Sequence, residues 1–413
     1  MKKILYGCAA GLVAGATFGL APAQATEGYF SHGYGAINKS MAGAGVAADF
    51  DAMSQATNPA SLTGVDSQFN VDLSVFSPRR KSTLTGTGFN NGVHTSDNNY
   101  FLIPSLAARY EIDAVSAWGW AIYGNGGMNT TYPPVGPFGS TGQTGVDLAQ
   151  LFLQGTYARD VGSGVSLGIS PIFAMQRFKA YGISAFSLSS SDPTKLTNNG
   201  YDWSYGVGGR LGLQWDIVPA VSFGVAYQSR TYMTEFDKYK GLFAEQGDFD
   251  IPPALQAGFA WKATPGLTLL ADWKRIWYSD VKAVANPISN LTVGGQLLGT
   301  DNGAGFGWQD VDAFKFGVQW QTTPTVALRA GVGFNDNPIP ASEVLFNILA
   351  PGVQEQHYTA GLTWQHTPNS AFNFGGMYSP STSVTGPDPL GSPGTIKIEM
   401  YQWELTAGWT WTF

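Results

Sequence analysis

The sequence predicts an all-β membrane protein: a 14-stranded antiparallel transmembrane β-barrel with an N-terminal hatch, or plug, in its lumen. Three observations predict this fold. Charged residues are scarce while aromatic residues are abundant. Apolar and small polar residues alternate in one segment after another. The chain also ends on an alternating aromatic segment whose last residue is Phe413.

The composition fits strands that have one face in lipid and one in a lumen. Charged residues make up 12% of the chain, against about a quarter in soluble proteins, and aromatic residues make up 14%. The mean hydropathy is −0.05. After residue 25 no apolar run is long enough for a membrane-spanning helix, which excludes a helical membrane protein. The net charge of −7 disfavours a nucleic-acid partner, because such a partner requires a basic face.

The alternation is clearest between Trp203 and Trp215. Odd positions there carry mainly aromatic and aliphatic side chains, whereas even positions carry serine, glycine, arginine and glutamine. The same period of two recurs at 221–228, 314–321 and 358–365, and a period of two is typical of strands. Because the second face is small and almost uncharged, it is typical of the inside of a closed barrel rather than the solvent face of a soluble sandwich.

The connections between strands alternate in length, which gives the strand count. Short and long connections alternate in bacterial barrels, where short turns face the periplasm and longer loops face outward. Six short and seven long connections predict fourteen strands. The short ones lie near Asp113–Ser116, Asp160–Gly164, Asp216–Ala220, Ala263–Gly266, Thr322–Thr325 and Thr367–Ser370, and the long ones at Lys81–Asn98, Asn129–Thr144, Gly182–Asn199, Phe236–Asp248, Ala283–Trp308, Asp336–Gly352 and Thr382–Thr395.

The last predicted strand runs from Tyr401 to Phe413, with aromatic residues at most of its odd positions. A terminal phenylalanine after such a pattern is similar to the assembly signal of outer-membrane barrels, so the barrel-assembly machinery is a predicted partner. The alternative, an ordinary edge strand, would leave a hydrophobic edge open to aggregation.

The first 25 residues read as a secretory signal peptide. Lys2 and Lys3 precede an apolar stretch, and Ala23-Gln24-Ala25 provides a small-x-small cleavage site. A transmembrane anchor is disfavoured because glycine and proline interrupt the apolar run. Cys8 is the one cysteine of the chain, so cleavage after Ala25 leaves no thiol for a disulfide or a thiolate metal site. The signal peptide and the barrel pattern together predict that the protein is located in the outer membrane of a Gram-negative bacterium.

Residues 26–65 do not alternate and are rich in glycine and alanine, with a short predicted helix over Asp49–Gln55. The segment is too small to hold a core of its own. A position inside the barrel would cover it, so we expect a hatch at 26–65 and the barrel at 66–413.

Several motifs, in this segment and farther along the chain, resemble those of the FadL family of long-chain fatty acid transporters. The resemblance covers essentially the whole mature chain. The motifs are Lys39-Ser40-Met41-Ala42-Gly43-Ala44-Gly45, Asn58-Pro59-Ala60, Ile103-Pro104-Ser105-Leu106 and Asn337-Pro338-Ile339-Pro340-Ala341-Ser342. The resemblance implies a fourteen-stranded barrel with a hatch, matching the count above. It also implies capture of an apolar substrate on outer loops, movement to a lumen pocket beside the hatch, and a kinked third strand that offers lateral exit into the membrane.

Two sets of residues match the hatch end and the lateral opening that this resemblance implies. Asn58, Pro59 and Ala60 match the end of the hatch, where proline prevents regular strand pairing. Gly124, Gly126 and Gly127 lie in the third strand and would permit a kink or bulge. An ordinary strand end is the alternative for these glycines.

A fatty acid also needs a cation for its carboxylate. Side chains alternate between the two faces of a strand, and this odd–even parity places five basic side chains on the lumen face, together with Asp202, Asp272 and Glu404. A buried cation must be paired or hold an anion, so structural ion pairs are the alternative for each. The candidates are Arg210 and Arg329 first, followed by Lys315, Lys274 and Arg109.

The proline-rich loop that contains Val344, Leu345, Phe346 and Leu349 could form a short amphipathic helix. Exposed apolar residues there would suit capture of substrates. A helix that caps the barrel mouth is the alternative.

The sequence contains no predicted catalytic set, metal motif or cofactor site. His32, His94, His357 and His366 lack metal-ligand spacing. The predicted function is passive uptake of long-chain fatty acids or similar hydrophobic molecules by a monomer surrounded by outer-membrane lipid. The alternatives are uptake of aromatic or alkane hydrocarbons, a general porin, which the hatch disfavours, and an outer-membrane hydrolase.

Overall fold

The structure is a computed structural model that describes residues 26–139 and 142–413. The predicted signal peptide and its cleavage site lie outside these residues. In the described part of the chain, no helix is long and apolar enough to cross a membrane.

Fourteen antiparallel strands form one closed sheet, as the sequence predicts. Each strand pairs with its neighbours in chain order, and the first strand pairs with the last over the full length of both. The barrel strands are β1 (Gln68–Thr85), β2 (Phe101–Asp113), β3 (Ser116–Asn129), β4 (Gly145–Gly162), β5 (Val165–Tyr181), β6 (Asp202–Val218), β7 (Val221–Gln228), β8 (Ala254–Thr264), β9 (Leu267–Ile276), β10 (Val311–Thr323), β11 (Val326–Asn335), β12 (Gln356–Thr367), β13 (Ser370–Pro387) and β14 (Thr395–Thr412).

All six predicted short connections are two-residue turns between these strands. The long connections carry two accessory strands, Gly92–Thr95 and Tyr232–Met233. They also carry short helices: Ser184–Ser189, Pro193–Lys195, Asp237–Tyr239, Ala244–Gly247, Tyr278–Asp280, Lys282–Ala285, Ser289–Thr292, Ala341–Glu343 and Phe346–Ile348.

The last long connection is shorter than the sequence suggests. We expected a loop over Thr382–Thr395, but β13 continues to Pro387 and β14 begins at Thr395. A bulge between Ser379 and Thr382 shifts the register. The pairing continues beyond it, because polar threonine and serine residues can form strands that project above the membrane.

The alternation places large apolar side chains on the outside. Near the outer ends of the strands the outward face exposes Tyr205, Tyr358, Tyr378 and Tyr401; near the periplasmic ends it exposes Trp118, Trp215, Trp261, Trp320, Trp364 and Trp409. Two aromatic belts of this kind mark the two membrane interfaces. Phe413 lies in the periplasmic belt, where its ring centroid is 5.7 Å from that of Tyr110.

The N-terminal segment fills the lumen. Apart from Asp49 and Phe50, every residue from Thr26 to Leu62 is buried. The segment contains an α-helix at Gly35–Lys39 and 3₁₀ helices at Ala52–Ala56 and Pro59–Gly64. The predicted helix at Asp49–Gln55 therefore begins later, because Asp51 caps it by accepting a hydrogen bond from the Ser54 amide at 3.1 Å.

Candidate functional site

The Asn58-Pro59-Ala60 motif anchors the end of the hatch to the barrel wall. The Asn58 side-chain oxygen accepts a hydrogen bond from the Ala60 amide at 3.0 Å and so caps the following 3₁₀ helix. Its amide nitrogen donates to the carbonyl oxygens of Val46, at 2.7 Å, and Leu213, at 3.0 Å. One buried side chain thereby joins two hatch segments to β6.

Two glycines of the wall make room for this motif. Gly168 of β5 and Gly212 of β6 are directly paired. A Cβ added at Gly212 would lie 2.0 Å from the Asn58 side-chain oxygen, and one added at Gly168 would lie 2.4 Å from the Ala60 nitrogen. The motif therefore requires a wall without side chains at these two positions.

The third strand contains the bulge that its glycines suggested. Pairing between β3 and β4 shifts register between Gly124 and Gly126, which leaves Asn125 as the extra residue. Hatch residues bind here: the Ser31 amide donates to the Asn125 carbonyl at 3.0 Å, and the Gly127 amide donates to the Tyr29 carbonyl at 3.1 Å.

The barrel wall is split beside this bulge. Strand pairing between β2 and β3 runs from Asp113↔Ser116 to Leu106↔Ile122 and stops there. Beyond that point Phe101 to Ser105 still pair with β1, whereas the upper part of β3 bonds to the hatch. The split and the hatch segment therefore lie side by side.

Two of the five lumen cations hold the start of the hatch. Lys274 and Lys315 contact the two carboxylate oxygens of Glu27 at 2.7 and 2.6 Å. Lys315 also donates to the His32 carbonyl oxygen at 2.7 Å. Glu27 and Lys315 are each 2% exposed, so the cluster lies deep in the lumen.

The three arginine candidates also have protein partners. Arg210 donates to the Ala56 carbonyl, to the Tyr123 hydroxyl at 3.1 Å and to the side-chain oxygens of Gln154 and Gln228. Arg329 donates to Gln319 and Thr363, both at 2.7 Å. Arg109 donates to the Leu62 carbonyl and the Ser67 hydroxyl, both at 3.2 Å.

Acidic residues of the wall complete the docking. Glu404 of β14 pairs with Lys39, and Asp272 of β9 accepts hydrogen bonds from the amides of Gly45 and Val46 at 2.8 and 2.9 Å. Parity placed these two carboxylates and the five cations in the lumen, and all seven are buried. Asp202, at the start of β6, is only partly buried.

Lys274 and Arg210 also border open space in the lumen. Together with Phe30, Tyr34 and Gln228 they line a small cavity beside the hatch. A small molecule beside the hatch therefore has both cations and aromatic rings within reach.

A second cavity lies under the outer loops and is lined entirely by apolar residues. It is a small cavity that is partly open to solvent. Its walls come from β4, β5 and five loops: Phe138, Val146, Phe178, Ile183, Phe186, Leu242, Phe243, Ala283, Leu298, Ala304, Gly305, Phe306, Phe346 and Leu349.

The exposure expected for the proline-rich loop is wrong. Val344 and Leu345 are fully buried and Leu349 is 6% exposed, while Phe346 packs its ring 5.4 Å from Phe186. Buried Asn347 turns the loop inward, because it accepts from the Trp308 indole and donates to the Phe306 carbonyl at 2.6 and 2.7 Å. The loop caps the barrel mouth and contributes to the apolar cavity.

An ion cluster holds two outer loops together. Arg230 donates to the Asp250 carboxylate at 2.6 Å and to the Asp280 carbonyl at 2.8 Å, and it lies 3.6 Å from Asp248. Burial, followed by the neighbouring Asp250 carboxylate, raises the pKa of Asp248 to about 7. This cluster lies outside the apolar cavity, which no charged residue lines.

Residues 12–389 match the model of one protein family, described as outer membrane protein transport protein (OMPP1/FadL/TodX). The chain belongs to this family. It is thus an outer-membrane transport protein of a Gram-negative bacterium, and the resemblance seen in its motifs is confirmed.

Individual relatives are distant in sequence. The long-chain fatty acid transport protein of Salmonella typhi is 21% identical over 387 residues, which cover 84% of this chain and 86% of that protein. The crystal structure of the Pseudomonas putida toluene transporter TodX matches with a TM-score of 0.70 and 17% identity, covering 94% of this chain and 100% of that one. The Ralstonia pickettii toluene transporter TbuX matches with a TM-score of 0.65 and 17% identity, at 92% and 99% coverage.

Sequence reasoning missed Glu27, Gly168 and Gly212. The two glycines have a signal, since both lie at lumen-facing positions of alternating strands. Glu27 has none, because its partners lie far along the chain. No group of three or more potential metal ligands occurs in residues 26–139 and 142–413.

Proposed function

We propose that this protein takes up hydrophobic small molecules by passive, hatch-gated diffusion across the outer membrane. Long-chain fatty acids are the first candidate class. The observation that carries the proposal is the cavity under the outer loops, whose lining contains six phenylalanines and no charged side chain. Such a cavity favours apolar ligands because it offers contact area without costly desolvation of polar groups.

Three features support a route through the molecule. The outer cavity would receive the substrate, and the lumen cavity beside Lys274 and Arg210 would hold it next to the hatch. The split between β2 and β3 would provide lateral exit into the lipid once hatch residues 29–31 leave the bulge at Asn125. Asn58, Pro59 and Ala60 would remain the fixed end of the moving segment.

Uptake of uncharged aromatic or alkane hydrocarbons is the second candidate. It is favoured by the protein partners of all five lumen cations, which leave none of them without a hydrogen bond or ion pair among the described residues. The structural similarity to toluene transporters is compatible with it.

In this function the protein catalyses no reaction and acts as a monomer. The barrel-assembly machinery would recognise its C-terminal strand, which ends at Phe413. The residues 1–25 would be removed on export, and 26–65 and 66–413 would act as hatch and barrel. A hydrolase assay with ester substrates on the purified barrel tests the enzymatic alternative; measurable turnover would contradict the proposal.

The binding test uses Phe186→Ser with Leu188→Ser as its matched control. Phe186 lines the outer cavity, whereas Leu188, two residues away, is 97% exposed. Loss of one buried ring should weaken binding of labelled oleate and labelled toluene to the detergent-purified protein about tenfold, since burial of a phenylalanine contributes about 1.5–3 kcal/mol.

Leu188→Ser should bind both ligands as the unaltered protein does. If neither ligand binds the unaltered protein, the proposed function is wrong. Binding that Phe186→Ser leaves unchanged would remove the outer cavity from the route.

A further inference from the structure

Glu27 occupies a position that suits the carboxylate of a substrate. Its two oxygens each take one lysine ammonium, Lys274 at 2.7 Å and Lys315 at 2.6 Å. The carboxylate therefore bridges two cations that project from neighbouring strands, β9 and β10. A free carboxylate has the same two oxygens and would fit the same bridge.

One of the two lysines, Lys274, borders open space in the lumen. Lys274 lines the lumen cavity together with Arg210 and Gln228. The Lys274 ammonium also lies 5.4 Å from the centroid of the Phe30 ring. An amphiphile whose headgroup enters this cavity would thus meet the cation and an aromatic surface together.

Other contacts hold the hatch without Glu27. Lys39 pairs with Glu404, and the Gly45 and Val46 amides donate to Asp272. The backbone beside Glu27 has an anchor that does not involve the Glu27 side chain, because the Tyr278 hydroxyl donates to the Glu27 carbonyl oxygen at 2.6 Å and accepts from the Tyr29 amide at 3.1 Å. The Glu27 side chain can therefore leave the lysines while the hatch stays in the barrel.

We propose that Glu27 is a selectivity residue, a tethered carboxylate that competes with anionic substrates for Lys274 and Lys315. An amphiphile with a carboxylate headgroup binds beside the hatch only when it displaces Glu27. An uncharged molecule of the same length meets no such competition. This inference rests on the proposed function, because it assumes that hydrophobic substrates reach the lumen cavity.

The test compares laurate with 1-dodecanol, which have the same chain length and differ in headgroup charge. In Glu27→Gln the lysines lose their internal anion while the side chain keeps its size. We expect the affinity of the full-length protein in detergent for laurate to rise about tenfold, which corresponds to about 1.4 kcal/mol, and the affinity for 1-dodecanol to stay within about twofold.

Glu404→Gln is the matched control, since it removes the carboxylate of a buried hatch–barrel pair without freeing Lys274 or Lys315. The ratio of laurate to dodecanol affinity should stay that of the unaltered protein. A rise of similar size in this control would overturn the proposal, because it would trace the gain to a loosened hatch. Heat-dependent gel mobility checks that each barrel is folded.

A second variant distinguishes the effect of the two lysine charges from the effect of a loosened hatch. Adding Lys274→Gln and Lys315→Gln to Glu27→Gln should abolish the gain for laurate; a gain that persists would overturn the proposal. So would an unchanged laurate-to-dodecanol ratio in Glu27→Gln when both probes bind the unaltered protein. If neither probe binds the unaltered protein, the proposed function itself fails, which is a different outcome.

Discussion

Asn58 shows how single residues fix the hatch. Its side chain uses both of its polar atoms, as a cap for the following 3₁₀ helix and as a donor to Val46 and Leu213. Since a buried amide must satisfy its hydrogen bonds inside the protein, these contacts keep the Asn-Pro-Ala motif in one place on the wall. The paired glycines below it allow that contact.

Gly212→Ala should loosen this anchor. The new Cβ would lie 2.0 Å from the Asn58 side-chain oxygen and 2.8 Å from Pro59 Cδ, and such crowding costs about 1–3 kcal/mol. Amide hydrogen exchange at residues 58–62 should therefore become faster. Gly209→Ala on the same strand is the control, since its Cβ would meet the Ser170 carbonyl at an ordinary 3.6 Å; equal exchange in the two variants would contradict the role of Gly212.

Residue parity predicted which charges face the lumen, but it could not predict their partners. Lys274 and Glu27 are separated by 247 positions in the chain, and the hatch has no period from which its side-chain directions follow. The ligand role of Arg210, Arg329, Lys315, Lys274 and Arg109 stays a prediction.

The third strand is the element in which the barrel departs from regular pairing. Glycines at 124, 126 and 127 indicated a kink, and the structure has a bulge there. The sequence did not indicate that the hatch would bond to the bulge, because backbone contacts leave no trace in side-chain pattern. The split between β2 and β3 lies beside this bulge and beside the hatch residues that bond to it.

A disulfide across the split should block lateral exit. A Cβ added at Gly124 would lie 3.3 Å from Ile103 Cγ2, so Ile103→Cys with Gly124→Cys should cross-link on oxidation. Uptake of labelled oleate or toluene by cells should fall several-fold and recover with a reductant, because the cross-link holds β2 against β3.

Ala107→Cys with Ala121→Cys is the control, since these residues are already paired across β2 and β3. Its disulfide should leave uptake unchanged. If the Ile103–Gly124 cross-link forms and uptake continues at the original rate, the substrate leaves by another route.

At the scale of the whole molecule, the barrel was predictable and the cap was not. Strand number and the two belts follow from a period of two and from turn spacing, which are local properties of the chain. The outer loops have no period, and they bury Val344, Leu345 and Leu349 against one another through contacts between distant segments. Their exposure was therefore mispredicted.

Removal of the hatch should open the lumen to ions. Residues 26–62 are almost wholly buried in it, so a chain lacking 27–64 should conduct ions in planar bilayers, whereas the full-length protein should conduct at least tenfold less, since a plug excludes the water that ions need. Equal conductance of the two proteins would favour the porin alternative. Gel mobility before and after heating shows whether the shortened barrel is folded.

The bonds between the hatch and the β3 bulge imply a restoring force. When residues 29–31 move away, the Gly127 amide and the Asn125 carbonyl lose their partners beside a split that faces hydrocarbon, where an unmatched peptide group costs several kcal/mol. The open gate would therefore be the high-energy state, and it would shut without any external energy once the substrate has passed. Hydrogen exchange at the Gly127 amide should accordingly rise only while substrate is supplied.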